Sequence, residues 1–216
     1  MEKNTIKWAM YLNYFVFAIL LNSVGIVILK AQRNYGVDEL EASILEAFKD
    51  LPIAIVSFLV ASFLPRIGYK RAMLIGLGLV YMACIVMYFG NSFATAKLLF
   101  ATVGVSFALI KVSVYSLIGT VTENQQEHNS LMSSIEGVFM IGISLAYFLF
   151  PAFNSETNPD AWLNVYWLLA GISGVSFAFL FLAKSENQVE VPGVNLLDDF
   201  RQMFQLMAKL LTIVFV

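Results

Sequence analysis

The chain has 216 residues, 59% of them hydrophobic and only 13% charged, with a mean hydropathy of +0.77. A water-soluble globule of this length needs far more charge to cover its surface, and that class is excluded. A net charge of −2 offers no basic surface for nucleic acid, and a single cysteine, Cys84, rules out a disulfide within the chain.

A helix that crosses a bilayer needs about 20 apolar residues. Six runs qualify, over approximately 8–29, 44–64, 72–89, 97–118, 130–150 and 162–183. The first follows Lys3 and Lys7, as a secretion signal would, but it is too long and no small-x-small cleavage chemistry follows it. It reads as a retained helix in which Asn22 and Ser23 can hydrogen-bond a solute or a neighbouring helix. The second run holds Glu46, Lys49 and Asp50 near its start, so it is the least apolar. Their i, i+3 and i+4 spacing puts all three on one face. Asp50 is the deepest, and Pro52 after it frees backbone groups, which makes Asp50 a candidate pathway residue.

Between the second and third runs, FLPRIGYKRAMLIG sets Arg66, Lys70 and Arg71 in one short turn. The fourth run carries Lys111, with Tyr115 and Ser116 one helical turn beyond, and the fifth carries Glu136. Trp8, Trp162 and Trp167 lie near the starts of runs, as interfacial anchors do. Gly76, Gly78, Gly104, Gly137 and Gly142 can allow close helix packing. After the sixth run, KSENQVEVPGVN reads as a linker over 184–194. Residues 195–216 then form an amphipathic helix with Asn195 as its cap, turning apolar after Lys209 as the start of a seventh span. A stop at Val216 would leave that span half crossed, so a truncated chain is expected.

Lysine and arginine set the orientation. With a cytoplasmic N-terminus, the inner segments hold Lys3, Lys7, Arg66, Lys70, Arg71, Lys184, Arg201 and Lys209, against Lys30, Arg33 and Lys97 outside. The inner loop 119–129 departs from the trend, with Glu123 and Glu127 but no cation. The expectation is a multi-pass inner-membrane protein.

Lys111 is the most demanding residue, because a deep ammonium costs about 2.5–3.5 kcal/mol and usually faces a cavity or a partner. Its stem can instead snorkel toward the inner face. Counted from the ends of their runs, Lys111 lies roughly 10 Å deep and Glu136 roughly 9 Å deep, so an ion pair between them is expected. Such a pair is either structural or a carboxylate whose proton affinity depends on whether Lys111 is engaged elsewhere. No His/Cys metal spacing, phosphate-cradling glycine loop or Gly-x-Ser-x-Gly occurs, so no enzyme activity, cofactor or metal site is expected.

Six spans, the inner turn and the long inner linker together resemble the major facilitator superfamily. The family signature G-x-L-a-D-R-x-G-R-K falls on 61–70: Arg66, Gly68 and Lys70 match, with Arg71 following. Ala61 replaces the leading glycine, Pro65 the aspartate and Tyr69 an arginine. In the family that aspartate acts as a latch at the inner gate, a bond Pro65 cannot make. The resemblance implies an all-α membrane fold in which residues 1–183 form an amino-terminal half of two inverted three-helix repeats. Asn22 lies as far beyond Trp8 as Lys111 lies beyond Lys97, which fits such a repeat. The layout faintly resembles the fucose-permease-like and other sugar transporters, and a symporter is expected. The implied activity is alternating access for a small-molecule solute, possible proton coupling included, completed by a missing carboxy-terminal half. Lys111, Glu136, Asn22, Asp50 and Tyr115 would line the pathway, and Arg66, Gly68, Lys70 and Arg71 would form the inner gate or topology loop. The alternative is a non-transporting scaffold or accessory subunit.

Overall fold

A computed structural model describes residues 2–183, and every regular element among them is helical. The linker and the amphipathic segment expected over 184–216 lie outside the described residues. In chain order the helices are α1 (Glu2–Asn22), α2 (Val24–Tyr35), α3 (Glu39–Ile67), α4 (Tyr69–Gly90), α5 (Phe93–Val121), α6 (Gln125–Ala152) and α7 (Asn164–Leu182). A 3-10 turn, Ala161–Leu163, leads into α7.

Local chemistry sets the ends. Asp38 caps α3 by accepting from the Glu41 N–H at 2.7 Å. Ser92 and Thr95 form a reciprocal capping box on α5, and Asn124 accepts from the Glu127 N–H at 2.9 Å to cap α6. These side chains satisfy donors that a helix start leaves unpaired. Gly68 alone separates α3 from α4, at φ 91°, a conformation that costs glycine little and any side chain more.

The first span is bent. α1 and α2 meet at Ser23 with a 43° change of direction, and together they are apolar enough to cross a membrane. Four further helical units, α4, α5, α6 and Ala161–Leu182, qualify individually. The second expected span corresponds to α3. At 29 residues it is long enough to cross, roughly 43 Å, with Glu46, Lys49 and Asp50 gathered in its first half ahead of an uncharged stretch over 51–65. It remains one helix through Pro52 and Pro65 and packs most closely on α5.

The packing has internal symmetry. α1 lies against α6, α7 and α5, while α5 lies against α3, α4 and α1, and α4 lies against α7. Exchanging α1 with α5, α3 with α6 and α4 with α7 maps each of these neighbour pairs onto another or onto itself. A unit of three crossings returns the chain on the opposite face, so the second unit is inverted relative to the first. Two close crossings obey the same exchange. A Cβ on Gly104 of α5 would lie 2.3 Å from the Lys49 carbonyl oxygen of α3 and 3.1 Å from Pro52 Cβ. A Cβ on Gly142 of α6 would lie 2.6 Å from Ala18 Cβ and 2.9 Å from the Phe15 carbonyl oxygen of α1. Gly78 and Gly137 make no comparably close approach.

Side chains join the loops at each end. On one face Lys3 pairs with Glu123 at 3.2 Å and Lys7 with Glu127 at 2.8 Å. The acids that stood out in the 119–129 loop therefore take their cations from the N-terminus. On the same face Lys70 donates to the carbonyls of Phe181, at 3.2 Å, and Ala183. At the other face Tyr35 donates to Asn91 at 2.9 Å, and Lys30 to Asn154 at 2.7 Å. Apolar residues such as Leu79, Met82, Met140, Ile141 and Phe148 are exposed on the outer surfaces of α4 and α6, where lipid can solvate them. Trp8 and Trp167 are exposed as interfacial anchors would be, but Trp162 is fully buried. Its ring packs edge-on against Tyr166, with the Lys30 ammonium 6.0 Å from its centroid.

Candidate functional site: a polar face on three helices

Helical periodicity puts Phe107, Lys111 and Tyr115 in one stripe along α5. α1 contributes Tyr11 and Tyr14 to the same region, and α6 contributes Ser134, Glu136 and Phe139. The Tyr115 hydroxyl donates to Glu136 Oε1 at 2.5 Å. Tyr11 and Ser134 hydroxyls meet at 2.6 Å. Because the one Ser134 proton is directed to the Leu131 carbonyl at 2.9 Å, Tyr11 is the donor of that pair. The Tyr14 ring lies 5.8 Å from Phe139, 6.3 Å from Tyr115 and 6.4 Å from Phe107. Its hydroxyl is buried without a hydrogen-bond partner.

Lys111 is exposed. Its ammonium lies 5.8 Å from the Phe107 ring centre and 5.9 Å from that of Tyr115. The ion pair with Glu136 expected from depth is not formed: among the described residues the ion pairs are Lys3–Glu123, Lys7–Glu127 and Lys49–Asp50. Tyr115 stands between the two charges, its ring toward Lys111 and its hydroxyl on Glu136. The similarity of depth does hold. Measured along the observed helices, Lys111 is roughly 15 Å from the end of α5 and Glu136 roughly 16 Å from the start of α6. Both are deeper than the apolar runs implied, because the helices extend beyond those runs.

A family model described as Major Facilitator Superfamily matches residues 10–215. The chain belongs to the major facilitator superfamily. No curated protein matches its sequence. The other residues read as candidates take different places in this superfamily member. Asn22 donates to the Ala18 carbonyl at 2.8 Å, and Ser23 to the Leu20 carbonyl at 2.8 Å. Both bonds remain within the first span at its bend. Asp50 is exposed on α3 and pairs with its neighbour Lys49 at 3.4 Å. Lys49 is mostly buried, with its side chain 15% exposed.

In the superfamily turn, Arg66 lies in the last turn of α3 and Arg71 is exposed in the first turn of α4. Lys70 caps the end of α7, where unpaired carbonyls and the helix dipole favour a cation. This cation therefore holds α4 to α7 inside the bundle. In the sequence Tyr11 and Tyr14 read as either solute-binding or helix–helix hydrogen-bonding residues, and Ser134 as a small packing residue; their place in one cluster comes from the fold. A tyrosine in an apolar helix reads equally well as packing, and only its neighbours distinguish the two.

Proposed function

We propose that this chain supplies the amino-terminal half of a secondary transporter that moves a small solute by alternating access. The observation that carries the reading is the Lys111–Tyr115–Glu136 face, polar and charged near the middle of long apolar helices. Such a face is costly against lipid and is usually turned to a cavity. A second six-helix half, connected through 184–194 and starting in 195–216, would enclose it. Glu136 is the proton carrier in this reading, and Tyr115 holds its carboxylate in place. Coupling is by symport across an inner membrane, and the lysine and arginine bias supports a cytoplasmic N-terminus.

The test uses the full-length gene product in liposomes, with solute uptake measured in the presence and absence of an imposed proton gradient. Gradient-driven uptake that becomes independent of the gradient in Glu136→Gln supports the reading. Failure of the wild type to move any solute or proton would favour a scaffold or accessory subunit. Topology is tested separately by labelling with an impermeant thiol reagent. Cysteines at Arg71 and Glu156, both exposed, should react from opposite sides of the membrane, and same-side labelling would overturn the assignment.

A further inference from the structure

The two deep lysines have different environments. Lys49 is mostly buried and paired with Asp50. Lys111 is exposed, and no described carboxylate lies within ion-pair distance of it. Its neighbours are two rings near the outer limit of a cation–π contact, about 6 Å. Those contacts leave its three N–H donors unused. An ammonium at this depth is usually turned to a cavity or to a group of opposite charge. Glu136 is turned to the Tyr115 hydroxyl instead.

We propose that Lys111 is the binding site for the carboxylate of a small organic monoanion, whose flat apolar body lies against Tyr115 and Phe139. This rests on the transporter reading above and specifies its solute class. One cation balances one negative charge. A dianion would bring a second charge close to Glu136, and a cationic solute would meet Lys111 itself. The ring cluster supplies the apolar surface: Phe107 and Phe139 stack with centroids 6.1 Å apart and planes 28° apart, and Tyr14 supports both. Tyr115 and Phe139 are the half-buried members, accessible at the edge of the cluster. A planar body is favoured there by aromatic contact.

The measurement is equilibrium dialysis of radiolabelled benzoate against the purified full-length protein in detergent, with benzamide and benzylamine as neutral and cationic counterparts of similar shape. Benzoate should bind at least about ten-fold more tightly than either. Lys111→Gln should weaken benzoate by about ten-fold or more, while Lys111→Arg, which keeps the charge, should retain most of the affinity. Lys111 is exposed, so both variants should fold, which thermal unfolding verifies. Absence of benzoate binding to the wild type, equal binding of benzamide, or full binding by Lys111→Gln would each overturn the proposal. Binding is measured apart from uptake so that the two readings can fail separately. Lys111-dependent benzoate binding without any uptake leaves this site standing and removes transport. Proton-driven uptake of neutral solutes with no benzoate binding removes the site and leaves transport standing.

Discussion

Replacing Gly104 by alanine should separate α3 from α5 at their closest point. The new Cβ would lie 2.3 Å from the Lys49 carbonyl oxygen, 3.1 Å from Pro52 Cβ and 3.3 Å from the Lys49 carbonyl carbon. A comfortable carbon–oxygen contact is about 3.3–3.6 Å, so the helices must part by roughly 1 Å. Two of the three opposing atoms are backbone, and no rotamer change can remove them. Overpacking of this kind costs about 1–3 kcal/mol, and a clash with backbone belongs at the upper end. Alanine recovers about 1 kcal/mol of helix propensity, leaving a net loss of about 2 kcal/mol by these estimates. Gly142→Ala, facing Ala18 and Phe15 on α1, should be destabilising as well. Gly137→Ala and Gly171→Ala meet nothing within 4 Å and should be neutral or stabilising by up to about 1 kcal/mol. Cys84 is the only cysteine and is fully buried, so its alkylation by a fluorogenic maleimide reports unfolding in mixed micelles. If Gly104→Ala proves as stable as Gly137→Ala, the close crossing is not a determinant of packing.

Three further substitutions examine other parts of the structure. Tyr115→Phe deletes the donor to Glu136; a hydrogen bond to a charged group is worth about 1.5–3 kcal/mol, so stability should fall by up to that amount, and proton-driven uptake, measured where the variant remains folded, should fall about ten-fold or more. Unaltered uptake would remove Tyr115 from the pathway. Lys70→Met should lower stability by about 0.3–1 kcal/mol through loss of the cation at the end of α7, with Lys70→Arg close to wild type; equal unfolding midpoints for Met and Arg would show that the cap contributes nothing. Asn22→Ala removes a bond that lies wholly within α1, so uptake and its solute preference should persist, and a changed preference would return Asn22 to the pathway.

The helices were legible in the sequence because apolar runs of bilayer length have few other destinations. Their limits were less legible, and capping explains much of the difference. The run read as beginning at Lys97 begins at Phe93, since Ser92 and Thr95 close the capping box ahead of it. The fifth begins at Gln125 behind Asn124, several residues before the polar stretch gives way to apolar sequence. The bend at Ser23 has no proline to announce it. At the site, depth along the membrane was legible because it follows from counting residues. Rotation about each helix axis was not, since it depends on which neighbours press on the helix. Lys111 and Glu136 thus share a depth without sharing a bond, and Tyr115 occupies the place where their ion pair was expected. The loop acids Glu123 and Glu127 were visible as an anomaly, but their partners stand 120 positions earlier.

That separation governs the order of events during synthesis. Besides Lys3–Glu123 and Lys7–Glu127, the contacts of the first span with Ser134 and Asn154 join residues 123 and 124 positions apart. At about 5–20 residues per second, α1 would emerge from the ribosome on the order of ten seconds before α6 can meet it. Through that interval its Phe15–Ala18 surface, later covered at Gly142, faces lipid or an insertion partner. α3, α4 and α5 can associate within the same period, because their mutual contacts need only sequence already made. The first helix translated is therefore among the last to acquire its native neighbours.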